Sequence, residues 1–124
     1  KEMSDKTYIL YLPFNEIHDL GLLFLHHEII INGHKSIYLG RSLPIENLID
    51  LNNHFKKITY ITYLTVEPEE NEIENYINDF NNTILKDNDN ELLIFGRKAM
   101  TINSEKLPQK IQSIANMQDF LGTL

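Results

Sequence analysis

Six consecutive uncharged residues, Thr7-Tyr8-Ile9-Leu10-Tyr11-Leu12, stand near the start of the chain and end at Pro13. Their β-branched and aromatic side chains favour a strand, and proline stops it because it has no N–H to give to a ladder. A strand apolar at almost every position has to be covered on both faces. That calls for a parallel sheet enclosed between two layers of helices. Immediately beyond it, Asn15-Glu16-Ile17-His18-Asp19-Leu20-Gly21 packs polar residues into the turn before a second apolar run, Leu22-Leu23-Phe24-Leu25. Ligands of open α/β sheets bind beyond the carboxyl ends of the strands. The pattern Glu-x-His-x-x-Gly at that position is therefore the leading candidate for a functional motif.

The rest of the chain continues the alternation. A helix is expected from about Ile17 to Asn32. Leu20, Leu23, Phe24, Ile30 and Ile31 can face the sheet, with Leu22, Leu25 and Ile29 widening the apolar face. Asn32-Gly33 is its stop signal. A second strand is expected over 34–39, closed by Gly40. Pro44 then lies in the first turn of a helix whose inner face is Ile45, Leu48, Ile49 and Phe55. Ile58 to Val66 reads as strand three. Ile73, Tyr76, Ile77, Phe80 and Ile84 share one face of a helix. Glu91 to Phe95 is strand four, ended by Gly96. The segment from Arg97 to Pro108 holds a short helix or an irregular crossover. A weak fifth strand covers 110–114, and Asn116 caps a last short helix. Right-handed βαβ crossovers then give an α/β, flavodoxin-like (Rossmann-like) three-layer sandwich with strand order 2-1-3-4-5. Its ligand crevice lies over strands one and three, fed by loops 13–18, 40–43, 64–69 and 96–100.

Composition narrows the function. A length of 124 residues suits one domain with one core, with residues 1–6 as a linker or disordered lead. No apolar run approaches the roughly 18 residues that span a bilayer. The absence of cysteine excludes disulfides, thiolate metal sites and cysteine nucleophiles, and fits a cytoplasmic protein. A net charge of -7 argues against the chain contacting nucleic acid by itself. Because it starts at Lys1, the chain is read as a fragment of something longer.

The motif and its flanks carry a resemblance. Leu12-Pro13-Phe14-Asn15-Glu16-Ile17-His18 leading into a helix, and Gly33-His34-Lys35-Ser36-Ile37-Tyr38-Leu39-Gly40 as the second strand, resemble the cobalamin-binding domain of MerR-type bacterial transcription regulators. The resemblance covers essentially the whole chain. That fold is shared with corrinoid methyltransferases and mutases. The family motif is Asp-x-His-x-x-Gly, and Glu16, His18 and Gly21 stand at its positions. It implies His18 as lower ligand to the cobalt of cobalamin, replacing the cofactor's own benzimidazole. Glu16 would hold the other ring nitrogen, and Gly21 would allow helix one a close approach. The family's Ser-x-Leu in strand three, which helps line the slot for the displaced base, is matched by Thr62-Tyr63-Leu64, with Thr65 as an alternative register. Its Gly-Gly after strand four reads Gly96-Arg97, where Arg97 either obstructs the nucleotide tail or binds its phosphate.

Each candidate has a plainer reading. His18 can be a polar residue at a helix start, and Glu16 can merely complement the helix N-terminus. His26, His27 and His34 lack partners at metal spacing. Glu67, Glu69, Glu70 and Glu72 suit a solvated helix start. The resemblance implies a regulatory, non-enzymatic sensor whose cobalamin is absent from the isolated fragment. Its DNA-binding domain would lie in a missing N-terminal segment, and the full-length protein would be a homo-oligomer. The alternatives are a cofactor-free interaction module of the same fold and a corrinoid-carrying module of a methyltransferase or mutase.

Overall fold

A computed structural model describes residues 6–124. Five strands form one sheet: β1 (Lys6–Pro13), β2 (Lys35–Leu43), β3 (Lys57–Tyr63), β4 (Glu91–Phe95) and β5 (Ile111–Ser113). All pairings are parallel and the order is β2-β1-β3-β4-β5, as the alternation of elements implied. The expected lead over residues 1–6 lies outside the described residues except for Lys6, which begins β1.

Alternate residues of β1 feed two cores. Tyr8, Leu10 and Leu12 pack with Leu22, Leu25 and Ile29 of α1 (Leu20–Ile31) and with Phe120 of α3 (Met117–Leu121). Ile9 and Tyr11 pack with Ile45 and Leu48, and with Ile73, Ile77 and Phe80 of α2 (Ile73–Thr83). Among the described residues no helix is long and apolar enough to cross a membrane.

Four local expectations are corrected. Helix α1 starts at Leu20, not near Ile17, and buries Leu22, Leu25 and Ile29. Leu20 is 83% exposed, and Leu23, Phe24, Ile30 and Ile31 also face outward. The helix is apolar all round, so its periodicity selects no face and docking decides. The segment Ile45–Asn53 is a 3₁₀-helix, not an α-helix. Its apolar residues Ile45, Leu48 and Leu51 recur every third position, which suits three residues per turn and turns Ile49 outward. Strand β2 does not close at Gly40. It continues to Leu43 through shifts in its register against β1, with Gly40 at φ +94°. Strand β3 stops at Tyr63, and the stretch after Gly96 consists of two 3₁₀ turns, Arg97–Thr101 and Ser104–Lys106.

Candidate functional site

Pro13 ends β1, and the loop that follows brings Glu16 under the carboxyl edge of the sheet, where it is 0% exposed. One carboxylate oxygen, Oε1, accepts the backbone N–H groups of Thr65 (3.2 Å), Val66 (2.7 Å) and Glu67 (2.8 Å) in the loop after β3. The other, Oε2, accepts the N–H groups of Ile17 (3.1 Å) and His18 (3.0 Å) and lies 2.7 Å from His18 Nδ1. Burial alone would raise the carboxyl pKa. The hydrogen bonds from Glu67, Val66 and His18 outweigh it and hold the value at about 2. Glu16 is thus an ionised acceptor at neutral pH. Nδ1 of His18 must then carry the proton, and a neutral ring keeps its lone pair on Nε2. The His18 side chain is 56% exposed.

The backbone of both loops around this carboxylate is tied down as well. Asn15 N–H donates to Ser42 Oγ (3.0 Å), and Ser42 N–H donates to the Glu16 carbonyl (3.2 Å). Asn15 (φ +71°) and Ser42 (φ +58°) both adopt the left-handed region, a conformation that costs about 1 kcal/mol or more outside glycine. From the other side, Lys98 Nζ donates to the carbonyls of Val66 and of Pro68 (2.7 Å). The loop after β3 is therefore held by an anion on its N–H groups and a cation on its carbonyls.

Glu16, His18 and Gly21 are brought together at the start of α1. Gly21 faces the ring of Tyr63. Thr62 is buried, and its hydroxyl donates to the Tyr11 carbonyl (2.9 Å), inside the sheet. Leu64 is buried; its N–H donates to the Phe95 carbonyl (2.8 Å) and its carbonyl accepts from Lys98 N–H (2.9 Å). Gly96, at φ +103°, sits against this Leu64 backbone, and Arg97 is exposed beside it. Glu67 contributes its backbone N–H to the Glu16 clamp. His26 Nδ1 lies 2.7 Å from Ser36 Oγ.

Sequence reasoning overlooked Lys98 and Ser42, and gave Tyr63 no role beyond the middle of the Thr62-Tyr63-Leu64 match. A lysine after a strand end carries no signal that distinguishes a carbonyl-bound amine from a solvated one. Among the described residues no group of three or more His, Asp or Glu could cage a metal ion. Two clefts lie elsewhere, one of about 280 Å³ between α2 and the 3₁₀ turns and one of about 220 Å³ beside Tyr8 and Phe120. Neither is lined by Glu16, His18, Gly21 or Gly96.

No family model matches the sequence, and no curated protein sequence is similar to it. Solved structures of similar fold include the monomethylamine corrinoid protein of Methanosarcina barkeri, with TM-score 0.69 and 15% identity. That match covers 98% of this chain and 59% of the other. A cobalamin-binding protein from Desulfitobacterium hafniense DCB-2 matches with TM-score 0.53 and 13% identity, over 81% of this chain and 47% of the other. At these identities the likeness is one of fold. The chain spans less than two thirds of either protein's length.

Proposed function

We propose that this chain is the ligand-sensing domain of a MerR-type transcription regulator and takes a corrinoid at the carboxyl edge of its sheet. The carrying observation is the Glu16–His18 pair, 2.7 Å apart, at the end of β1. Glu16 cannot turn away, because five backbone N–H groups hold it. It orients the imidazole through Nδ1 and leaves Nε2 free to donate, the usual arrangement around a metal-bound histidine. Phe14 (59% exposed) and Ile17 (55% exposed), in the same loop as His18, offer apolar surface to a flat ligand. A corrinoid held there by His18 would supply a Lewis-acidic cobalt.

The chain itself would act as a sensor, not a catalyst. Any DNA contact would come from another part of the regulator, since a net charge of -7 opposes phosphate binding here. A corrinoid shifts the regulator only if it binds one of its states more tightly than the other. The fold likeness to a corrinoid protein equally favours a second reading, a corrinoid-carrying module beside a separate catalytic domain.

The test of corrinoid binding is an absorption spectrum. Protein is mixed with aquocobalamin or with its tail-less analogue, aquocobinamide, and desalted. A retained, altered cobalt spectrum in the wild type that is lost in His18→Ala supports the reading. Retention of neither corrinoid, or identical spectra from wild type and His18→Ala, overturns it.

A further inference from the structure

The space beside Gly21 is already taken. A Cβ built on Gly21 would lie 2.4 Å from Cζ, 2.6 Å from Cε2 and 2.7 Å from the hydroxyl oxygen of Tyr63. Glycine at this position admits a protein side chain, and the tyrosine ring fills the space between the first turn of α1 and the end of β3. The ring is held from below. It stacks on Phe95, with centroids 6.1 Å apart and planes 13° from parallel. Phe95 meets Phe120 edge-on at 5.5 Å, and Phe120 meets Tyr8 edge-on at 6.2 Å. This file of rings runs through the layer between the sheet and helices α1 and α3, beside Leu22, Leu25 and Ile29.

The neighbouring glycine opens no second route. A Cβ on Gly96 would lie 2.6 Å from the Leu64 carbonyl oxygen and 2.8 Å from the Leu64 nitrogen. Its lack of a side chain serves the crossing of the two strand ends.

A cobalamin has a flat ring and a nucleotide tail ending in a base that can bind its own cobalt. The flat ring needs a surface and a donor, which Phe14, Ile17 and His18 provide. The tail needs depth, which Tyr63 occupies. With nowhere to lodge, the tethered base keeps a high effective concentration at the lower face and outcompetes an imidazole from outside. A corrinoid without the tail meets no such competition. Given the corrinoid reading above, we propose that Tyr63 makes this site selective for tail-less, cobinamide-type corrinoids over cobalamin.

Binding of aquocobinamide and aquocobalamin to the same wild-type protein decides this. Affinity is read by equilibrium dialysis and His18 coordination by the absorption change. Cobinamide should bind at least about tenfold more tightly, a step of about 1.4 kcal/mol, with a spectral change absent from His18→Ala. In Tyr63→Ala, checked for fold by circular dichroism, cobalamin should gain a His18-dependent spectrum and most of the difference should vanish. If wild type binds both corrinoids equally well through His18, the ring swings aside and the selectivity is refuted while corrinoid binding stands. If a folded Tyr63→Ala keeps the full preference, Tyr63 is not the selecting residue. If neither protein retains either corrinoid, the corrinoid reading itself fails. Should Tyr63→Ala not fold, Tyr63→Leu, which removes the ring but keeps an apolar side chain, takes its place with the same two outcomes.

Discussion

Replacing Glu16 by glutamine changes one charge and almost no volume, and it should be among the costlier polar substitutions in this chain. The carboxylate takes six hydrogen bonds, five from backbone N–H groups and one from His18 Nδ1. An amide offers one acceptor oxygen and an NH₂ group. If its oxygen faces Thr65, Val66 and Glu67, its NH₂ opposes the N–H groups of Ile17 and His18. Turned round, it opposes the other three.

The fall of the Glu16 pKa from its ordinary 4.5 to about 2 puts the folded-state preference for the ionised form at about 3 kcal/mol. The folded pKa lies below the unfolded one. This stabilisation is therefore complete above about pH 5 and is lost as pH falls through 4.5 toward 2. Linkage leaves about 1.4 kcal/mol of it at pH 3. Urea unfolding of wild type and Glu16→Gln at pH 7 and pH 3 measures both quantities. At pH 7 the variant should be less stable by about 3 kcal/mol, a midpoint shift of roughly 1–3 M for a protein of this size. At pH 3 the difference should shrink to about 1.4 kcal/mol. Equal stabilities at pH 7, or a difference that does not change between the two pH values, would refute the clamp.

Gly96→Ala should lose about 2 kcal/mol or more in urea unfolding, because φ +103° disfavours any side chain and the new methyl would strike the Leu64 backbone. Arg97→Ala serves as its neutral exposed neighbour, within about 0.5 kcal/mol of wild type. Lys98→Met keeps the length of the stem but removes the charged donor from the carbonyls of Val66 and Pro68. It should cost about 1.5–3 kcal/mol and speed amide exchange at Val66 and Glu67. Unchanged exchange there would mean that Glu16 holds the loop alone.

Much of the architecture was legible because it follows from local pattern plus connection rules. The doubly apolar run of β1 demanded cover on both faces, and the alternation of elements at this spacing admits little besides a parallel sheet. The pairing of Glu16 with His18 was also readable. Two residues apart in a turn, they meet with little help from the rest of the chain. The 3₁₀ segment could have been read from its three-residue apolar repeat at Ile45, Leu48 and Leu51.

Other features exist only once distant segments meet. Helix α1 has apolar residues on every side, so no periodicity marks which face goes inward. Its orientation comes from packing against β1 and from the loop anchored at Glu16. Three of the six hydrogen bonds that hold Glu16 ionised come from 49 to 51 residues away in sequence. Nothing local distinguishes such a buried, fully bonded carboxylate from an exposed one. Tyr63 and Gly21 likewise look unrelated along the chain. They become one feature only when parallel pairing sets the end of β3 beside the first turn of α1. A glycine expected to leave room for a ligand then leaves room for a ring, because in a close-packed interior space released by one side chain is filled by the nearest one that reaches it.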